Sequence, residues 1–298
     1  MQELDNYIYL NKQDQDNYYG FLKTVRKGII KTPKDNIDIV TNKFNNDIAQ
    51  LLKNKEFTKA IFLIREETYK EFLKQEHEFN TYVLKSLAIK FDIPKIKMDA
   101  ISDELYSISK KGKYDFKTEL INKFGDYASL ISPYIYILSL SNTQSRRSRA
   151  GKTFEYTIYY IYEYLGYPYN AQSQIGKNAF SNMGLGKIVD SILPSADAFS
   201  EFRNQCIIGS MKTTLRERWQ EVVEEINRSN LPNIYLLTTD NNISENQIKQ
   251  MREHNIILVV NKEVKDTFLN YRNVISFETY LTTNIPQVLK YWEDQNEH

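Results

Sequence analysis

Through the first half of the chain, apolar residues recur at three- and four-residue spacing. The stretches FNNDIAQLLKN (44–54), FTKAIFLIREETYKEFLKQEHEFNTYVLKSLAIKF (57–91) and DFKTELINKFGDYASLISPYIYIL (115–138) contain few breakers. Each predicts an amphipathic helix. DIPK (92–95) and KKGKYD (110–115) interrupt the pattern and predict loops. After residue 150 the period changes. FEYTIYYIYEYLG (154–166) predicts one more helix, stopped by Gly166 and Pro168. Short apolar runs then follow: KIVDSIL (187–193), QCIIGSMK (205–212), NIYLLTT (233–239) and NIILVV (255–260). Helical stretches RERWQEVVEEINRS (216–229) and SENQIKQMREH (244–254) separate the later ones. Strands alternating with helices, apolar enough to bury both faces, predict an α/β fold with a mixed β-sheet flanked by helices. The expected division is a mostly helical N-terminal region over 1–140 and an α/β domain over 141–298.

Composition narrows the chemistry. Cys206 is the only cysteine, and His77, His254 and His298 are scattered, so cysteine- or histidine-based metal sites have no support. A metal here would be a hard ion held by oxygen, as Mg2+ is. The N-terminus lacks a basic-then-apolar leader and no run of about 18 apolar residues occurs, so a soluble, cytoplasmic chain with no membrane partner is expected. Net charge is only +1, yet QSRRSRAGK (144–152) gathers Arg146, Arg147, Arg149 and Lys152 without an acid. Such a local patch suffices to contact DNA phosphates.

Cleaving a phosphodiester with oxygen-bound Mg2+ requires carboxylates at one place and a cation beside them. Asp190 lies inside an apolar run, and Lys212 ends another, on the same face as Ile208 and Ser210 by strand alternation. On the following helix Trp219, Val222, Val223 and Ile226 form a stripe. At about 100° per residue, Glu225 falls nearer that stripe than Glu221 or Glu224. Glu155 flanks the face made by Phe154, Ile158, Ile161 and Leu165. Each residue also has an ordinary reading, Asp190 as a strand-end aspartate and Lys212 as a surface lysine.

RRSRAGKTFE (146–155) followed by KTTLRERWQEVVEE (212–225) resembles the Type II restriction endonucleases of the CCGG-recognising group, in particular the EcoRII catalytic domain and its SsoII-like relatives, which cut at CCNGG or CCWGG. The resemblance runs from about Asn142 to about Val260 and implies the PD-(D/E)XK nuclease fold. It makes Asp190 a metal ligand and Lys212 the catalytic lysine, with the second acid moved to the next helix as Glu225 and a further acid at Glu155. Ser210 stands where that relocated acid is otherwise found. Val189 departs from the family pattern, which has proline there, and Asp197 is a second aspartate nearby.

The same resemblance assigns Arg216, Glu217 and Arg218 to base reading. Arginine donates to guanine O6 and N7, and glutamate accepts from cytosine N4, a set suited to consecutive C:G pairs. Without it, the triplet reads as a solvated helix start with neighbouring charges paired. Gln144 then faces a central base pair, and the basic segment becomes a phosphate clamp preceding the Glu155 helix, or else a solvated loop.

The expected activity is Mg2+-dependent double-strand cleavage at a palindromic site with a CC:GG core. A palindrome asks for two sites related by a twofold axis, hence a homodimer, or a tetramer built from dimers. The rival readings are a repair or structure-specific nuclease on the same fold, which has no need of the Arg-Glu-Arg triplet, and a non-cleaving DNA-binding protein whose acids sit in structural ion pairs. A nucleotide-binding enzyme has less support, for want of a glycine-rich phosphate loop.

Overall fold

The computed structural model describes residues 10–109, 113–216 and 218–296. Among the described residues seven helices precede the sheet: α1 (Lys12–Ile29), α2 (Pro33–Lys43), α3 (Asn45–Lys53), α4 (Phe57–Lys90), α5 (Asp92–Ile108), α6 (Lys113–Leu130) and α7 (Ser132–Tyr164). The 34-residue α4 has no internal glycine or proline to break it. DIPK is not a loop: α5 begins at Asp92 and takes Pro94 into its first turn, where a missing N–H carries no penalty. Of the second expected loop, residues 110–112 lie outside the described residues, and 113–115 already belong to α6.

The chain forms two compact units. One comprises the residues up to Thr32 with Tyr69–Ser148; the other comprises Pro33–Thr68 and the chain from Arg149 onward. The first has its own core, in which Tyr18 meets Tyr134 and Phe91 edge-on at 5.0 and 5.4 Å, among Leu22, Phe79 and Val83.

The second unit is built on a six-stranded sheet. Its strands are β1 (Asn170–Ala171), β2 (Ser191–Leu193), β3 (Ile207–Lys212), β4 (Ile234–Thr238), β5 (Ile256–Val260) and β6 (Val274–Ser276), in spatial order β1-β2-β3-β4-β5-β6. β1 to β3 pair antiparallel and β3 to β6 parallel. All five residues of β4 are buried, as its unbroken apolar sequence requires. Of KIVDSIL only the last three residues are strand.

Both sheet faces are covered. Ile208, Leu236 and Leu258 pack with Trp219, Val222 and Ile226 of α11 (Arg218–Ser229; helices α8 to α10 are Gln172–Ile175, Lys177–Asn182 and Ala196–Phe202) and with Ile248 and Met251 of α12 (Glu245–Glu253). On the other face Ile207, Met211, Leu237 and Val259 pack with Phe154, Ile158 and Ile161 of α7. Ile37, Ile48, Leu52, Phe57, Ile61 and Ile64 belong to that same core. Residues 33–68 therefore group with the sheet, whereas the sequence reading set a single division near residue 140. Their apolar stripe has a sheet face to cover. Gly166, at φ 69°, ends α7 as anticipated, with Tyr167 N–H returning to the Tyr162 carbonyl.

Candidate active site

Asp190 immediately precedes β2, and Lys212 is the last residue of the adjoining β3. The Asp190 N–H donates to the Gly209 carbonyl at 2.8 Å, which fixes the aspartate against the strand carrying the lysine. Its carboxylate Oδ2 accepts from the Met211 N–H at 2.7 Å and from Lys212 Nζ at 3.4 Å. Both side chains are largely buried, at 10 and 13% exposure. From α7 the Tyr159 hydroxyl donates to the Asp190 carbonyl at 2.9 Å. One turn earlier on the same helix, Glu155 is buried, and its Oε2 accepts from Lys152 Nζ at 2.6 Å.

The electrostatics bind these four side chains into one group. Burial raises the Glu155 carboxyl above the usual carboxylate range and the charge of Asp190 raises it further, against the pull of Lys152 and Lys212. Burial likewise raises Asp190; Lys212, the Met211 N–H and Lys152 oppose the rise without cancelling it. Burial works against the charge of Lys152, but its bond to Glu155 and the two carboxylates win and raise it. Two buried acids that repel each other, with hard oxygen donors, suit a divalent cation such as Mg2+, which is held by one or two carboxylates and keeps several waters. Among the described residues no group of three or more acidic, histidine or cysteine side chains is arranged to hold a metal ion.

Glu225 is buried on α11 while Glu221 and Glu224 are exposed, as its angular position anticipates. Its bonds, however, run to other partners. Oε1 accepts from the Gly186 N–H, Arg228 Nη2 and Ser229 Oγ, each at 2.6 Å. A Cβ at position 186 would meet the Glu225 carboxylate and the Arg228 guanidinium, so both side chains would have to shift. Glu225 thus anchors the turn leading into Asp190. Glu225→Ala should lower stability by about 2 kcal/mol and slow cleavage far more than Glu221→Ala or Glu224→Ala, as thermal melts and single-turnover rates would report. Equal effects at all three positions would refute the helix-face argument. Asp197, the alternative aspartate, is exposed in the first turn of α10.

Lys212 is followed by Thr213, Thr214 and the fully buried Leu215; then come Arg216, exposed at φ 36°, and Arg218, exposed as the first residue of α11. Glu217 lies outside the described residues. The basic segment is neither a loop nor a prelude to the Glu155 helix, since 144–152 fall inside α7. Gly151 does not break that helix; a glycine in a helix interior costs only about 1 kcal/mol. Gln144, Arg146 and Arg147 belong to the first unit, and Arg149 and Lys152 to the second. Gln144 and Arg147 are exposed and Arg149 is half-buried.

Lys152 and Arg146, both expected as phosphate ligands, are bonded to acids in this structure. Lys152 holds Glu155, and Arg146 Nε bonds both oxygens of the buried Glu76 at 3.0 Å while its Nη2 also contacts Glu76. Sequence spacing gave no sign of Glu76, which lies 70 residues away. It did offer a sign of Tyr159, four residues beyond Glu155 on one helical face. The two arginines should therefore fail differently. Arg147→Ala should flatten the salt dependence of DNA binding by about one unit. Arg146→Ala should lower stability by about 2 kcal/mol, less than for a fully buried pair because Arg146 is half-exposed. Salt titrations and denaturant melts of the two variants would separate these outcomes.

A mixed sheet with a buried aspartate and a lysine at the ends of paired strands, flanked by helices, defines the restriction-endonuclease-like class of nucleases. The model of the family described as EcoRII C terminal matches residues 116–281. The Type II restriction enzyme SsoII of Shigella sonnei is 34% identical over 241 residues, spanning 79% of this chain and 72% of that one. The chain belongs to the EcoRII C-terminal family, and its activity class is that of a Type II restriction endonuclease. Among solved structures, metal-depleted Ecl18kI in complex with uncleaved DNA aligns with a TM-score of 0.72 at 29% identity, covering 93% of this chain and 86% of that one. The PspGI–substrate DNA complex aligns with a TM-score of 0.60 at 16% identity, covering 90% and 96%, a likeness of fold alone. Among the described residues no helix is long and apolar enough to cross a membrane.

Proposed function

We propose that this endonuclease makes Mg2+-dependent double-strand cuts in DNA at a palindromic site with a CC:GG core, CCGG or CCNGG, acting as a homodimer. The observation that carries this reading is the continuity of one short stretch. Lys212 touches buried Asp190, and four residues further on stands exposed Arg216, followed by exposed Arg218. The relation to SsoII and the DNA-bound state of Ecl18kI support it.

Asp190 and Glu155 would hold the Mg2+, which when bound supplies a Lewis acid for the phosphate and lowers the pKa of a water. Lys212 places a positive charge beside Asp190, where it orients the attacking water and offsets charge gathering on the phosphate oxygens. Lys152 keeps Glu155 in position, and Glu225 secures the turn before Asp190. Arg216, Glu217 and Arg218 read the C:G pairs, with Gln144 at the centre of the site; Arg147 and Arg149 contact phosphates.

Incubating a fully sequenced plasmid with the protein, with and without Mg2+, and sequencing the ends tests the proposal. Defined ends at CC:GG sites, formed only with metal, are expected. Cutting that follows DNA structure rather than sequence would favour a repair nuclease. Binding without any nicking would point to a non-cleaving DNA-binding protein.

A further inference from the structure

The segment that follows Lys212 is gripped from the neighbouring strand. β3 and β4 are parallel with Lys212 opposite Thr238, so the chain leaving β4 runs beside the chain leaving β3. Three side chains of that second segment reach backbone atoms of the first. Thr239 Oγ1 donates to the Thr213 carbonyl at 3.4 Å. Asp240 Oδ2 accepts from the Leu215 N–H at 2.8 Å. Gln247 Nε2 donates to the Arg216 carbonyl at 3.3 Å.

The gripping residues are themselves held. The Asp240 N–H donates to Thr238 Oγ1 at 3.1 Å, and Asp240 Oδ1 accepts from the Asn242 N–H at 2.9 Å. Gln247 belongs to the capping box of α12, its Oε1 accepting from the Ser244 N–H at 2.9 Å. Buried Asn261 donates to Asn241 Oδ1 at 2.6 Å, tying the same connection to the end of β5.

The grip falls where the backbone requires it. Arg216 has φ 36°, a left-handed conformation that a non-glycine residue keeps only when its surroundings enforce it. A segment free to relax would take its side chain elsewhere, and ordering it on binding would weaken recognition. We infer that Asp240, Thr239 and Gln247 are positioning residues for sequence recognition, holding the backbone of 213–216 so that Arg216 meets its base already in place. The inference rests on the reading of Arg216 as a base-contacting residue.

Equilibrium binding of the full chain in Ca2+, to a CC:GG duplex and to one with a single C:G pair replaced, tests it. Arg216→Ala and Asp240→Ala should each reduce the preference for the cognate duplex on the order of tenfold. The double variant should fall no further than Arg216→Ala alone, since one residue acts through the other. Asp240→Asn should keep most of the preference, because its amide oxygen still accepts from Leu215 while the bond from the Asn242 N–H, which lies outside the gripped segment, is given up. Asn242→Ala, on the same connection, should also keep it. Should melts show Asp240→Ala to be unfolded, Gln247→Glu replaces it: the cap acceptor is retained, the donor to Arg216 is lost, and the preference should drop. If Arg216→Ala loses the preference while Asp240→Ala, or Gln247→Glu in its place, retains it, the positioning role is overturned and base reading stands. If Arg216→Ala retains full preference, base reading fails and the positioning role fails with it.

Discussion

Lys212→Ala abolishes cleavage, by on the order of a thousandfold or about 4 kcal/mol of transition-state stabilisation, while specific binding in Ca2+ survives. The ammonium lies 3.4 Å from the Asp190 carboxylate, within the buried group and away from the exposed arginines. In the proposed mechanism it acts on charge that develops as the phosphodiester breaks, not on a base edge, so its loss should reach the rate and leave discrimination alone. Single-turnover cleavage and Ca2+ binding titrations separate the two. A variant that cut at an undiminished rate would remove Lys212 from the chemistry.

Asp190→Asn is expected to be equally inactive, yet at least as stable as the parent in metal-free buffer. The sign follows from the direction of the shifts. Asp190 and Glu155 both take up protons more readily in the folded chain than in the unfolded one. Acids of that kind support folding fully at pH below their unfolded values, and that support is lost as pH rises through the raised folded values. At neutral pH the ionised pair therefore withdraws stability, and a neutral amide at position 190 relieves it while still able to accept from the Met211 N–H. The advantage should fade as pH falls to about 4, where a free aspartate is itself half-protonated. Denaturant melts at pH 7.5 and pH 4.5, without metal, give the comparison. A marked loss of stability at pH 7.5 would show that the hydrogen bond to Met211 needs the full negative charge.

Local periodicity foretold what lies along single elements. Alternation put Lys212 at a strand end, and the 100° step on α11 separated Glu225 from Glu221 and Glu224. The apolar runs that bury β4 and β5 on both faces announced a covered sheet. Pairings between distant elements were not legible in the same way. Nothing local to Arg146 points to Glu76, and a basic run inside a helix looks like a basic run in a loop when Gly151 sits within it. Nor does the stripe of residues 37–64 say which surface it will cover. Lys152 was read with the arginines because charge sign is visible in a sequence, whereas its bond to Glu155 depends on a helical turn that continues through the segment.

β3 ends at Lys212 and α11 begins at Arg218, so only five positions of sequence separate the lysine from the helix. A loop that short cannot absorb insertions without dragging the lysine off its strand. On the proposed assignment of base reading to this connection, descendants that acquire a new target must do so by exchanging side chains in place, at fixed length, or abandon cutting on the way. The same constraint tells a protein engineer where to randomise and where to leave the chain length untouched.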